Sequence, residues 1–122
     1  MAKNILIVDD SESIREVVGL ALRSEGYNVT VGVDGADGLR LLLETPNINL
    51  IVSDLNMPNM DGIQFLKEVR KIDKYKYLPI LILTTESQEQ KKMEAKNAGA
   101  TGWIIKPFVK EKLLAVVKKV IR

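Results

Sequence analysis

The sequence predicts one α/β domain in which a β-strand and an α-helix alternate five times. Short apolar runs alternate with stretches whose apolar residues recur at helical spacing. The runs are nearly continuous, as expected for strands of a parallel sheet that is covered by helices on both faces. Of the 122 residues, 46% are apolar and 28% are charged, which is ordinary for a single globular domain.

The first two strand–helix units follow in order from the N-terminus. Strand one is predicted at residues 5–8, and Ser11 can cap the helix that follows it. A second strand at residues 28–33 leads through a glycine-rich turn at residues 34–38 into a helix that must end before Pro46. The apolar positions of these two helices are Ile14, Val17, Val18, Ala21 and Leu22, then Leu39, Leu42 and Leu43.

The other three units complete the alternation. Strands are predicted at residues 48–53, 79–83 and 102–105, and a helix follows each of them. The helix from Ser87 to Ala98 is the weakest, because it has few apolar residues. Its apolar positions are Met93, Ala95 and Ala98. Those of the other two helices are Ile63, Leu66, Val69 and Ile72, then Leu113, Leu114, Val117 and Ile121.

Polar side chains follow four of the five strands. Asp9 and Asp10 follow the first strand, Asp54 the third, Thr84 the fourth and Lys106 the fifth. The carboxyl ends of neighbouring parallel strands open onto one crevice, where ligands bind. Any one of these acids alone could be a simple helix cap. The joint pattern instead predicts that three carboxylates, a hydroxyl and an ammonium group converge at one edge of the sheet.

This set of groups suits a metal-assisted phosphoryl group. Carboxylates held within a few ångströms of one another repel, so one of them would be protonated or the cluster would bind a cation. Oxygen ligands without histidine or cysteine favour Mg²⁺. The chain contains no histidine, so it cannot carry a phosphohistidine itself. It also lacks a GxxxxGK[ST] loop, which argues against ATP as the direct donor.

The arrangement resembles the receiver domain of two-component response regulators. The resemblance covers the whole chain in order and spacing, and the stretch from Asp54 to Gly62 is nearly that of the single-domain chemotaxis regulators. It implies a flavodoxin-like, doubly wound fold with five parallel strands in order 2-1-3-4-5 and helices on both faces. The matching motifs are Asp9-Asp10, Ser53-Asp54-Leu55-Asn56-Met57-Pro58, Met60-Asp61-Gly62, Thr84 and Lys106-Pro107-Phe108.

The resemblance also implies a role for each residue of the site. Asp54 would be the phosphoryl acceptor. Mg²⁺ would be held by Asp10 and Asp54, by Asp9 directly or through water, and by the backbone carbonyl of Asn56. Lys106 would pair with the acyl phosphate. The only catalysis expected is the domain's own phosphorylation and autodephosphorylation, so it would not be an enzyme in the usual sense.

A switch and its partners are implied in the same way. Thr84 would donate its hydroxyl to the phosphoryl group and move towards it, while Trp103 turns inward; ordinary packing of the indole is the alternative. A histidine kinase would be the phosphodonor, and a phosphatase a further partner. The target, first of all a flagellar motor switch, would dock on the helix from Ser87 to Ala98, the Trp103 strand and the last helix. A cis bond before Pro107 is also implied.

Three alternative functions remain open. The protein could be a phosphorelay intermediate, or it could regulate a target other than the motor, because the proposed docking helix carries Lys91 and Lys92 and little apolar surface. A Mg²⁺-dependent phosphatase with an aspartyl-phosphate intermediate is a remote third. Such phosphatases have a DxDG-like first-strand motif, whereas this strand ends in Asp9-Asp10-Ser11-Glu12.

Composition and charge limit the kinds of partner and cellular location that we expect for this protein. The net charge of +2 gives no reason to expect nucleic acid. The basic residues of the C-terminal third fit a solvated helical face, or else a docking surface for an acidic partner. The chain has no cysteine, no signal peptide pattern and no apolar run of membrane-spanning length. We therefore expect residues 1–122 to form a single receiver domain without an output domain, monomeric and cytoplasmic, with no membrane contact.

Overall fold

A central five-stranded parallel sheet organises the molecule. A computed structural model describes residues 2–122. The strands are β1 (Asn4–Val8), β2 (Asn28–Gly32), β3 (Ile48–Ser53), β4 (Ile80–Thr84) and β5 (Gly102–Ile105). All neighbours pair in parallel, in the order β2-β1-β3-β4-β5. This order confirms the flavodoxin-like fold that the resemblance implies.

Five α-helices cover the sheet. They are α1 (Glu12–Ser24), α2 (Gly35–Glu44), α3 (Gly62–Arg70), α4 (Glu89–Asn97) and α5 (Lys110–Val120). A short 3₁₀ helix, Asp73–Tyr75, which the periodicity does not predict, lies between α3 and β4. Within residues 2–122, no helix combines the length and the apolar character needed to cross a bilayer.

Alternate residues of the strands enter two separate apolar cores. Leu6 of β1 packs in the core that contains residues of α2, α3 and α4, including Phe65. Its neighbour Ile7 packs in the other core, with residues of α1 and α5 that include Leu22 and Leu113. Because both faces of β1, β3 and β4 are buried, these central strands have no polar face. This explains the continuous apolar runs, and it leaves the strand ends as the places where polar side chains emerge.

The glycine-rich segment at residues 34–38 is the start of α2, so the prediction of a turn there was wrong. Oδ1 of Asp34 accepts a hydrogen bond from the Asp37 amide at 2.8 Å and caps the helix. Gly35 then allows a close approach rather than a turn, since a Cβ at this position would collide with the backbone carbonyl oxygen of Met60. The composition of the segment suggested a turn, whereas its glycines serve packing.

A few helical positions also differ from the predictions. Val17 and Leu43 were expected in the apolar stripes of α1 and α2, but their side chains are 56% and 66% exposed. Ile72 and Ile121 lie just beyond the ends of α3 and α5. In α2, Leu41 packs partly against the core in place of Leu43. Helical spacing fixes a stripe to within one position, and the tilt of each helix on the sheet decides which neighbour is buried.

Helix α4 is weakly anchored, as its sequence predicts. It begins at Glu89 rather than Ser87, and Ala95 is its one buried residue. The side chain of Met93 is 55% exposed. Gln88 occupies the N-cap position of α4. Among the residues described, its side chain makes no hydrogen bond to the first turn of the helix. Few buried apolar contacts and an unsatisfied first turn are typical of a segment that opens readily.

The C-terminal end of α4 is held by Arg70 of α3. One guanidinium nitrogen of Arg70 donates to the carbonyl oxygens of Tyr75 at 2.9 Å and Leu78 at 2.7 Å, and the other donates to the carbonyl of Gly99. Gly99 follows α4 in a left-handed conformation, with φ of 110°. One half-buried side chain thus joins the end of α3 to the segment before β4 and to the loop between α4 and β5.

Candidate functional site

The three carboxylates predicted at the strand ends lie together in the structure. Val8 and Ser53 are paired in neighbouring strands, so the residues that follow them emerge side by side. The amide of Asp54 donates to the carbonyl of Val8 at 2.9 Å. One carboxylate oxygen from each of Asp9, Asp10 and Asp54 lies within 4.8 Å of the other two.

The ammonium group of Lys106 joins two of these acids. Its Nζ lies 2.8 Å from Oδ2 of Asp9 and 3.1 Å from Oδ2 of Asp54. The backbone amide of Lys106 donates to the carbonyl of Thr84 at 2.8 Å, which continues the pairing of β4 and β5. The bond between Lys106 and Pro107 is cis, as the resemblance implies. Residues from β1, β3 and β5 therefore meet in one ion cluster.

Asp9 is the most deeply buried member of the cluster. Its side chain is 2% exposed, and its Oδ1 accepts from the Ser11 amide at 2.9 Å. Burial raises the pKa of Asp9 above the ordinary value, although hydrogen bonds from Lys106 and Ser11 and the charge of Lys106 oppose the rise. Burial also acts to lower the pKa of Lys106, but the hydrogen bond to Asp9 and the charges of Asp54 and Asp9 raise it overall. Lys106 is therefore held in its protonated, ammonium form.

Both side-chain oxygens of Asp54 are oriented. Oδ1 accepts from the Leu55 amide at 2.6 Å, and Oδ2 faces Lys106. The hydroxyl of Ser53 donates to the carbonyl of Asp54 at 2.8 Å. The Asp54 side chain keeps 11% of its surface exposed, so a phosphoryl donor can reach it from solvent.

Thr84 and Asn56 are linked to this cluster through the backbone, Thr84 by the hydrogen bond from the Lys106 amide and Asn56 as the second residue after Asp54. Thr84 ends β4 and is fully buried, and its Oγ1 accepts from the Glu86 amide at 3.2 Å. The hydroxyl proton of Thr84 takes no part in this bond. Asn56 lies on the exposed β3–α3 loop, two residues after Asp54. That loop begins tightly, because the Gly62 amide donates to the carbonyl of Leu55 at 2.7 Å.

Trp103 lies further back along the sheet. It pairs with Ile82, two residues before Thr84, and its half-buried side chain packs against the α2–α3–α4 core. With Lys92 and Lys96 of α4 it lines an open groove of about 190 Å³. The structure thus places the predicted switch aromatic next to the weakly anchored helix rather than among the carboxylates.

The ligand set fits a Mg²⁺ ion. The three carboxylates supply only oxygen, which Mg²⁺ prefers, and the exposed Asp10 leaves the cluster open to an ion that retains several waters. Lys106 donates a hydrogen bond to one oxygen of Asp9 and to one oxygen of Asp54. Each of those carboxylates still has oxygen lone pairs for a cation.

We expect Asp10→Asn to stabilise the metal-free protein and to weaken its binding of Mg²⁺. The substitution removes one of three clustered negative charges, and the expected gain in the free energy of unfolding is about 1 kcal/mol. Urea titrations with EDTA and with MgCl₂ measure both effects. A variant that is less stable in EDTA than the unsubstituted protein would identify Asp10 as a structural hydrogen-bonding group instead.

Sequence reasoning did not identify three residues that support the site. Nη1 of Arg15 donates to the backbone carbonyl of Asp9 at 2.8 Å. Nδ2 of Asn59 donates to Oδ2 of Asp34 at 2.6 Å across the neighbouring loop. The partners in the second contact are 25 residues apart, so no local pattern could have indicated it. Arg15 lies six residues after Asp9, on the first turn of α1. A basic side chain at that position could equally well face solvent, so the sequence does not indicate its contact with Asp9.

The chain resembles proteins of one family along nearly its whole length. The family described as the response regulator receiver domain matches residues 5–118. Chemotaxis protein CheY-3 of Vibrio cholerae is 43% identical over 115 residues, which cover 89% of this chain and 87% of that protein. Chemotaxis protein CheY of Pseudomonas aeruginosa is 35% identical over 116 residues, covering 95% and 94%. The solved structure of Vibrio cholerae CheY4, at 44% identity, superposes with a TM-score of 0.93 and covers 98% and 99% of the two chains.

Proposed function

This chain belongs to the response regulator receiver family, and from that membership we propose that it accepts a phosphoryl group on Asp54 from the phosphohistidine of a histidine kinase. The observation that carries the proposal is the pairing of a solvent-reachable Asp54 with the buried ammonium of Lys106. An ionised carboxylate is the form that can attack phosphorus. The ammonium lies 3.1 Å from Oδ2 of Asp54, where its positive charge can offset the charge of an incoming phosphoryl group.

The transfer is one substitution at phosphorus. An oxygen of Asp54 forms a bond to phosphorus as the bond to the donor imidazole nitrogen breaks, and that nitrogen keeps the electron pair and takes up a proton. Positioning and charge neutralisation account for most of the catalysis of such reactions. Lys106 supplies one positive charge beside the incoming phosphoryl oxygens. The Leu55 amide, which holds Oδ1 of Asp54 at 2.6 Å, fixes the orientation of the nucleophile.

We propose Mg²⁺ as the cofactor, held by Asp10 and Asp54, by Asp9 directly or through water, and by the carbonyl of Asn56. When bound, it supplies further positive charge to the phosphoryl oxygens. The carboxylate cluster supports this assignment, because its oxygens lie within reach of a single ion.

The proposed output is a change in what the domain binds. The candidate face consists of α4, β5 with Trp103, and α5, because α4 is the least anchored helix of the sheet. Both curated relatives described above are chemotaxis proteins, which supports chemotaxis as the pathway and a flagellar motor switch as the target. The exposed Lys92 and Lys96 beside Trp103 favour an acidic contact on that target.

Phosphorylation by acetyl phosphate tests the proposed function. With MgCl₂, intact-mass measurement should show one added phosphoryl group, and with EDTA none. The same sample should not turn over an external phosphate ester, because the first strand ends in Asp9-Asp10-Ser11-Glu12 and lacks the DxDG-like motif of aspartyl-phosphate phosphatases. Continuous release of phosphate from an ester would instead favour the phosphatase alternative.

Trp103 should report the switch, since it is the only tryptophan of the chain. Beryllofluoride with Mg²⁺ should shift the emission maximum of Trp103 or its accessibility to iodide, because the Thr84 hydroxyl would bond to the phosphoryl mimic and vacate space for the indole. A ligand shifts such an equilibrium only by its difference in affinity for the two states. Thr84→Ala should therefore still bind beryllofluoride but lose most of the shift.

Thr85→Ala is the matched control, since it alters the next, exposed threonine and should keep the full shift. Unchanged emission and quenching in the unsubstituted protein on activation would identify Trp103 as ordinary packing. The output face would then have to be sought elsewhere.

A further inference from the structure

The β3–α3 loop is held at its far end by Asp34, a buried acid at the start of α2. Asp34 is 7% exposed, and both of its oxygens are used. Oδ1 accepts from the Asp37 amide at 2.8 Å and caps α2, while Oδ2 accepts from Nδ2 of Asn59 at 2.6 Å. The second bond has a charged acceptor and is short, so it belongs to the stronger class of hydrogen bonds.

A backbone contact lies beside this bond. The Gly35 amide donates to the carbonyl of Met60 at 3.1 Å, and the absence of a Cβ at Gly35 lets the two chains meet. Asn59 has a φ of 66°, a left-handed conformation that asparagine tolerates better than most residues. The turn at Asn59 thus presents its side chain to Asp34 and the next carbonyl to Gly35.

The opposite end of the same loop is fixed next to the phosphoryl acceptor. The Leu55 amide binds Oδ1 of Asp54, and the Gly62 amide binds the carbonyl of Leu55. Between Leu55 and Asn59 lie Asn56, Met57 and Pro58. The ring of Pro58 fixes one backbone torsion of this short stretch, so fewer torsions are free to absorb a displacement at Asn59 before it reaches Asn56.

We propose that the Asp34–Asn59 pair is a positioning device for the metal site, acting through the backbone carbonyl of Asn56. This inference rests on the proposed function, in which that carbonyl is a Mg²⁺ ligand. Mg²⁺ requires a nearly ideal octahedral arrangement with ligand distances of about 2.0–2.1 Å. A loop that moves by a few tenths of an ångström therefore loses affinity for the ion. Neither Asp34 nor Asn59 needs to touch the metal or the phosphoryl group.

The test measures Mg²⁺ affinity rather than phosphorylation. The free energy of unfolding, from urea titrations at increasing MgCl₂, gives the dissociation constant through the linkage between binding and stability. Asn59→Gly keeps the left-handed backbone and the net charge but removes the hydrogen bond, and it should raise the dissociation constant about tenfold, as loss of a group that orients a ligand usually does. Asn47→Gly is the matched control, because Asn47 is also left-handed, with φ of 62°, and precedes β3 at the opposite edge of the sheet.

A rescue pair separates positioning from general damage. Asn59→Asp places a second carboxylate against Asp34, and repulsion should push the loop away. Adding Asp34→Asn reverses donor and acceptor, since the new amide can donate to the carboxylate introduced at position 59 while its oxygen still caps α2. The double variant has the net charge of the unsubstituted protein, and its dissociation constant should return to within about threefold of that protein's value.

Three outcomes overturn the inference. In the first, the Asn59→Gly variant binds Mg²⁺ as tightly as the Asn47→Gly variant, whether or not it is less stable in EDTA. The Asp34–Asn59 pair would then have a structural role only. Another is a double variant that binds as weakly as Asn59→Asp alone. The third is an unsubstituted protein that Mg²⁺ does not stabilise, which would remove the proposed metal site and this role together. The first two leave the metal site intact, so the two failures can be told apart.

Discussion

Asp54→Asn is expected to abolish phosphorylation by acetyl phosphate, with a fall in rate of at least about 10³-fold. The amide nitrogen is not a nucleophile towards phosphorus, and the substitution removes the charge that Lys106 faces at 3.1 Å. Intact-mass measurement with MgCl₂ should show one added phosphoryl group in the unsubstituted protein and none in the variant.

Asp61→Asn provides the matched control for this result. Asp61 lies on the same loop and caps α3 through the Gln64 amide at 2.9 Å, and asparagine caps helices about as well as aspartate. This control should keep the full phosphoryl signal. Retention of the signal in Asp54→Asn would remove Asp54 as the acceptor, and its loss in both variants would show that the substitutions act through the loop.

Lys106→Met should lower the free energy of unfolding near pH 7 by about 3–5 kcal/mol in metal-free buffer. It leaves two carboxylates that are mostly buried without the ammonium that pairs with them. Methionine has nearly the shape of the lysine chain, so the effect is one of charge rather than of volume. Urea titrations in EDTA measure the loss, and Lys118→Met, a change to an exposed lysine of α5, should leave stability nearly unchanged.

The loss should grow with pH, because of the direction in which the pKa of Asp9 is shifted. Burial raises this pKa above its ordinary value of 3.8, and removing Lys106 raises it further. The folded variant then holds a proton that the unfolded chain releases. Its stability is fully present below the unfolded pKa and falls as the pH rises through the folded pKa. A loss that is constant between about pH 4 and pH 7 would show that packing, not charge, accounts for the role of Lys106.

The strands and the site edge could be predicted from the sequence because their signals are local. Apolar runs identify the strands, and the residue after each run has to emerge at the carboxyl edge. Asp9 and Asp10 show where this reasoning ends. Two adjacent acids look equivalent in the sequence, but one is buried against Lys106 and the other is exposed. Which of them turns inward depends on the pairing of β1 with β3, and a single sequence does not reveal that.

Long-range polar contacts were the features that local patterns could not predict. In the sequence Asp34 looks like part of a glycine-rich turn, yet it caps α2 and binds Asn59 25 residues away. Arg70 looks like one more basic residue at the end of an amphipathic helix, although its guanidinium binds three carbonyl groups. Arginine and asparagine have many uses on a surface. Only the folded chain shows which carbonyl or carboxylate each of them meets.

The attachment of Arg70 to Gly99 makes the two ends of α4 unequal in their dynamics. Amide hydrogens in the first turn, next to the uncapped Gln88, should exchange with solvent through small local openings. Those near Ala95, which is fully buried, should exchange only when a larger unit unfolds. In the proposed switch, a signal from Thr84 would arrive at the loose end, through the segment that leads into α4. The helix should then reorient about its C-terminal end, so that the residues near its start at Glu89 are displaced the most.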